Sequence, residues 1–110
     1  MPYAGTPWVR NGKFVAEDGQ QIVVDSPAWF DWLRSASSFC YCSTRSADRF
    51  SARKEKRRQQ FYWYAYLKND RKLHNIYLGK TERLTQNHLD QACDQLVQKA
   101  RQATKRASLR

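Results

Sequence analysis

The chain has 110 residues, with 20 Lys or Arg against 10 Asp or Glu for a formal charge of +10, and 41% of it is hydrophobic and 14% aromatic. That apolar share excludes a chain disordered by composition, and this length suffices for one core without disulfides or metal. No segment reaches membrane-spanning length and no basic stretch followed by an apolar one marks a secretion signal, so the expected location is the cytoplasm, at the nucleoid.

The charge is unevenly placed. Residues 1–44 carry three basic groups against four acids, whereas residues 45–110 carry 17 against six, a net of +11. A field of that sign attracts polyanions, and nucleic acid rewards phosphate neutralisation through counterion release.

In chain order, short extended runs at Phe14-Val15 and Ile22-Val23-Val24, with turn dipeptides Asn11-Gly12 and Asp18-Gly19, predict a small β-ribbon. Ser26-Pro27 reads as an N-cap and first helical residue, opening a short helix from Pro27 to about Ser35. Trp29, Phe30, Trp32 and Leu33 give that helix an aromatic face, expected in the core. The alternative for this face is a homodimer or protein-partner contact, since exposed aromatic clusters mark interfaces.

From Ser38 the hydrophobic period changes to two. Strands are predicted at Phe39–Cys42, Arg49 to Lys56, Phe61 to Lys68 and Lys72 to Leu78, with polar connections that include Arg57-Arg58-Gln59-Gln60 and Asn69-Asp70. An antiparallel meander joins them. Centring the last hairpin on Asn69-Asp70 pairs Leu67 with Lys72, Ala65 with His74, Trp63 with Ile76 and Phe61 with Leu78 on one, mostly apolar, face. Tyr62, Tyr64 and Tyr66 then oppose Tyr77, Asn75 and Leu73 on the other, wetter face.

Thr85 is the expected N-cap of a final helix, with Leu84 and Leu89 as a hydrophobic staple. Leu89, Ala92, Cys93, Leu96, Val97 and Ala100 form its apolar stripe, which should pack on the Trp63 face. Residues 105–110 read as a basic flexible tail. The fold class is therefore α+β: an antiparallel three- to four-stranded sheet packed against a C-terminal helix, preceded by a β-ribbon and a short Trp-rich helix. Residues 1–104 form a single domain, with 1–36 as the N-terminal part and 37–104 as the sheet and helix.

The residues predict no enzyme: there is no nucleophile motif, no paired acids in a cleft-forming pattern and no glycine-rich phosphate loop. Cys40, Cys42 and Cys93 with His74 and His88 lack finger-type spacing, so no metal and no cofactor is expected, nor a small-molecule substrate.

Basic residues interleaved with strand formers carry the functional reading. A two- or three-stranded sheet fits the major groove of duplex DNA, its outer side chains reaching base edges while flanking cations hold phosphates. Arg49, Arg53, Arg57 and Arg58 line the second strand and its turn, Lys68, Arg71 and Lys72 flank the last hairpin, and Lys80 precedes the helix. Lys54 and Lys56 alternate to the opposite side, toward phosphate or solvent. Two alternatives stand beside double-stranded DNA. One is RNA or single strands stacked on the tyrosines, and the other is an acidic protein bound by a basic adaptor or inhibitor.

The run Phe61-Tyr62-Trp63-Tyr64-Ala65-Tyr66, then Leu73 to Lys80 ending Tyr77-Leu78-Gly79-Lys80, then Leu84-Thr85 and the helix, resembles the arm-type DNA-binding domain of tyrosine recombinases over residues 48–104. The resemblance implies a three-stranded antiparallel sheet backed by one helix and inserted in the major groove, without the recombinase catalytic domain. On the matching positions it implies contacts from Arg53, Glu55, Tyr62, Tyr64, Tyr66 and Asn75, flanked by Lys68, Arg71 and Lys72. Asn75 and the arginines of this set, Arg53 and Arg71, are the expected base readers of a small bacterial transcriptional regulator or mobile-element accessory factor.

Overall fold

A computed structural model describes residues 7–16, 18–69 and 71–108, with helix side chains given as far as residue 102. In order, the chain forms β1 (Trp8–Val9), β2 (Lys13–Val15), β3 (Gln21–Val23), α1 (Pro27–Ser35), β4 (Ser38–Cys42), β5 (Arg49–Arg57), β6 (Gln60–Asn69) and β7 (Lys72–Gly79). A single 3-10 turn at Thr81–Arg83 then leads into α2 (Gln86–Ser108).

β4 to β7 form the expected antiparallel meander, and the fold is α+β with the sheet laid against α2. The sheet is nevertheless mixed. β1 pairs in parallel with β4, Trp8 opposite Cys40 and Val9 opposite Tyr41, making five strands in the order β1-β4-β5-β6-β7. Parallel neighbours need a long crossover, which the β2–β3 ribbon and α1 supply. A strand of two residues leaves no periodic trace in the sequence.

The helix starts follow from their caps. Ser26 accepts a hydrogen bond from the Trp29 amide at 3.3 Å and Pro27 takes the first helical position. At α2 the Thr85 hydroxyl accepts from the His88 amide at 3.2 Å, while Asp25, in the left-handed region at φ 74°, accepts from the Gln86 amide at 2.9 Å. A carboxylate there also meets the positive end of the helix dipole. α2 continues to Ser108, past the expected end near Thr104, so residues 105–108 are helical.

Strand alternation sends Phe39, Tyr41, Phe50, Ala52, Trp63 and Ala65 to the inner face, where Leu89, Ala92, Cys93 and Leu96 of α2 meet them. Phe14 and Ile22 of the ribbon and Trp29 and Leu33 of α1 join the same buried cluster. Ring contacts run through it: Phe14 to Trp32 at 4.6 Å, Trp32 to Trp29 at 5.6 Å, Trp29 to Phe39 at 5.3 Å and Phe39 to Trp63 at 5.2 Å. The Trp29 indole N–H also donates to the Leu84 carbonyl at 2.8 Å, fixing α1 to the start of α2. Trp29 and Leu33 are thus fully buried, as expected of a core face, while Phe30 and Trp32 pack against the same cluster half-buried.

Both hairpins differ from the expected ones in detail. β5 and β6 pair as far as Arg57–Gln60, which leaves a two-residue turn, Arg58-Gln59, with φ 51° and 70°, in place of four turn residues. In the last hairpin Asn69 pairs with Lys72, Leu67 with His74 and Ala65 with Ile76. The register is two residues from the expected one, a shift that keeps every side chain on its face because the strand period is two. The turn centres on residues 70–71; Arg71 takes φ 66° and Asp70 lies outside the described residues. A bulge between Trp63 and Tyr64 then sets Trp63 opposite Gly79, whose φ of 109° disfavours any side chain.

Candidate nucleic-acid interface

The outer face of β5, β6 and β7 lies opposite α2. β5 contributes Arg49, Arg53, Glu55 and Arg57, β6 contributes Tyr62, Tyr64, Tyr66 and Lys68, and β7 contributes Leu73, Asn75 and Tyr77. α1, α2 and the ribbon all pack into the inner cluster, and Arg53, Asn75, Leu73 and Tyr77 are exposed, the last two at 57% and 56%.

Register places the candidate readers side by side: Arg53 opposes Tyr64, Glu55 opposes Tyr62, and Tyr66 opposes Asn75. The Arg53 guanidinium lies 5.1 Å over the Tyr66 ring and that of Arg57 lies 5.6 Å over Tyr64. Such stacking holds a long, entropically costly side chain in place and leaves its in-plane N–H donors available to other groups. Tyr77 packs edge-on against Tyr64 at 5.4 Å and tilted against Tyr62 at 5.9 Å, and the Tyr62 hydroxyl donates to Gln60 at 3.1 Å.

Glu55 sits inside this array rather than at its surface. Its carboxylate accepts from Arg57 at 2.7 Å and from the Tyr66 hydroxyl, so it orders the two arginine–tyrosine stacks. Asn75 is exposed; its backbone carbonyl accepts from Lys99 of α2 at 3.0 Å.

The remaining cations fall into two groups. Arg57, Arg58 and Lys80 lie at the β5–β6 turn end, and Arg49, Lys68, Arg71 and Lys72 at the opposite end. A β6 strand of ten residues separates them by about 30 Å at ~3.3 Å per residue. The three strands span about 10 Å across, close to the ~12 Å width of the major groove.

Lys54 departs from its expected place toward phosphate or solvent. Its ammonium donates to the Leu33 and Arg34 carbonyls at 2.7 and 2.9 Å and lies 5.3 Å from the Trp63 ring. It caps the C-terminal end of α1, and burial lowers its pKa. Lys56 is exposed.

Sequence reasoning missed the β1 end of the face. Trp8 shares it with Cys40, and the guanidiniums of Arg10 and Arg49 lie 5.0 and 5.3 Å from its ring. Tyr77 lies on the face as expected, opposite Tyr64 rather than Tyr62. Among the described residues no group of three His, Cys, Asp or Glu could hold a metal, and no helix is long and apolar enough to cross a membrane. Burial pushes the Cys40 thiol up to about 11 and that of Cys93 to about 12, so both are protonated near neutrality.

In comparisons with protein-family models, curated proteins and solved structures, the chain matches none.

Proposed function

We propose that the chain is a non-enzymatic DNA-binding protein that lays the outer face of β5–β7 in the major groove, as a transcriptional regulator or mobile-element accessory factor. The observation that carries this reading is the stacking of Arg53 on Tyr66 and Arg57 on Tyr64 across a three-strand-wide face that no described helix or ribbon covers. In this reading Arg53 and Asn75 contact base edges, the terminal groups of Lys and Arg contact phosphates, and Glu55 holds Arg57 and Tyr66 in position. The resemblance to arm-type domains points the same way.

Single-stranded stacking is the second reading, motivated by the exposed Tyr77 ring. It is the weaker one, because guanidiniums lie over Tyr64 and Tyr66 where a base would have to stack.

Fluorescence anisotropy of a random duplex, a single-stranded DNA and a single-stranded RNA of equal length, each at several salt concentrations, tests the proposal. Duplex preference with a steep salt slope is expected. Tighter binding to RNA or to single-stranded DNA would replace it with the stacking reading, and no binding to any of the three would leave an acidic protein as the partner to seek. Within duplexes, Arg53→Ala and Asn75→Ala should alter sequence preference, whereas Lys68→Ala should weaken all sequences alike.

A further inference from the structure

While α1 turns Trp29 and Leu33 inward, its opposite strip carries Pro27, Phe30, Asp31 and Arg34 at i, i+3, i+4 and i+7. Pro27, Asp31 and Arg34 are exposed and Phe30 is half-buried. Two shallow hollows share Phe30 and Arg34. One, of about 520 Å³, runs over Pro27, Ala28 and Asp31, and the other, of about 300 Å³, is bounded by Phe61 and Glu82. Phe61 leaves 57% of its surface open there, a large apolar ring beside a partly apolar helix strip.

In a chain of charge +10, two copies repel wherever basic faces meet. Around this strip the charges nearly balance, with Asp31 and Glu82 against Arg34 and the Lys56 that lies opposite Phe61, and with Lys54 turned to the α1 carbonyls. Asp31 and Arg34 form no ion pair with each other or with other described residues.

We infer that this strip is a self-association surface for a second copy of the chain. Two α1 helices pack antiparallel about a twofold axis, so that Asp31 of each copy faces Arg34 of the other and Phe30 enters the hollow beside the opposing Phe61. A twofold contact pairs residue i with j and j with i, and opposite charges one turn apart satisfy that condition when the helices run antiparallel. The strip lies on the inner side of the sheet, so the dimer leaves both outer faces open. The inference stands whether or not those faces bind DNA.

Sedimentation equilibrium of the full chain from about 5 to about 500 µM tests it, a range suited to a small interface. The wild type should approach twice the chain mass at the upper end. Asp31→Arg and Arg34→Asp each place like charges in contact and should move the midpoint at least about tenfold higher. The double exchange restores opposite charges and should return it to within about threefold of wild type. Circular dichroism checks that these exposed-site variants keep the fold. A monomer throughout the range overturns the inference, as do single variants that associate like the wild type or a double variant no better than the singles.

Discussion

Asp90 is a buried carboxylate, its side chain 3% exposed, and it remains charged. Burial alone would push its pKa up. The Thr44 hydroxyl and amide, the Tyr41 hydroxyl at 2.8 Å and the nearby Arg45 guanidinium outweigh that and hold it below the usual carboxylate value. These bonds fasten the loop after β4 to α2. Replacing Asp90 by Ala leaves the Tyr41 hydroxyl and Thr44 amide without their acceptor and should cost about 2–4 kcal/mol in chemical denaturation. The depressed pKa also fixes the sign of a pH effect. The contribution is complete above the unfolded carboxyl value near ~3.9 and fades as pH falls through the lower folded value. The stability gap between wild type and Asp90→Asn should therefore narrow on acidification, as thermal unfolding across that range would register; a constant gap would contradict it. Glu55 gives the opposite kind of test. Glu55→Gln keeps an acceptor for Arg57 and the Tyr66 hydroxyl while removing a negative charge from the outer face, so duplex binding should tighten a few-fold on all sequences; weaker binding would mean that the carboxylate's hold on Arg57 outweighs its charge.

At the level of elements, the β5–β6 turn holds Arg58 and Gln59 both at positive φ, where two-residue hairpins favour Asn-Gly. Each non-glycine residue there carries roughly 1 kcal/mol of strain, so exchanging Arg58-Gln59 for Asn-Gly should raise stability by about 1 kcal/mol, read from urea midpoints. If Arg58 holds a phosphate, the same variant should lower the salt slope of DNA binding by about one unit. This turn also marks what was legible in the sequence. Caps at Ser26 and Thr85, the α2 stripe and the two faces of the last hairpin are local patterns of side-chain chemistry and period, and each stands where the pattern put it. Register is a different matter: sliding the pairing of β6 and β7 by two residues preserves every face, so hydrophobic alternation could not choose between the registers. Lys54 misled for a related reason, since alternation gives its face but not the α1 carbonyls that lie over that face. β1 was invisible because Trp8–Val9 is a strand only by virtue of β4 beside it. For the outer face, the tyrosine and arginine positions followed from period two, while the Glu55 bridge and the Arg10–Trp8–Arg49 stack depend on which strands are neighbours.

Taken whole, the molecule separates its surfaces: a mixed five-stranded sheet with the core elements on one side and an open, basic aromatic face on the other. Part of the β7 edge is occupied, because Lys99 and His88 of α2 reach its Asn75 and Leu78 carbonyls at 3.0 and 2.8 Å. Lys99→Ala should therefore raise the tendency to aggregate at high concentration, followed by light scattering, with little change in unfolding midpoint. Between the two basic ends of the outer face a bound duplex would neutralise several phosphates, and a salt slope near −0.9 per phosphate contact gives the number directly. The four tryptophans are divided in the same way. Trp29 and Trp63 are sealed in the core and Trp32 is stacked on Trp29, whereas Trp8 is half-exposed between Arg10 and Arg49 on the outer side. The chain thus carries its own optical reporter: emission from the sealed indoles should stay constant when a polyanion docks, and any quenching or spectral shift should vanish in Trp8→Phe.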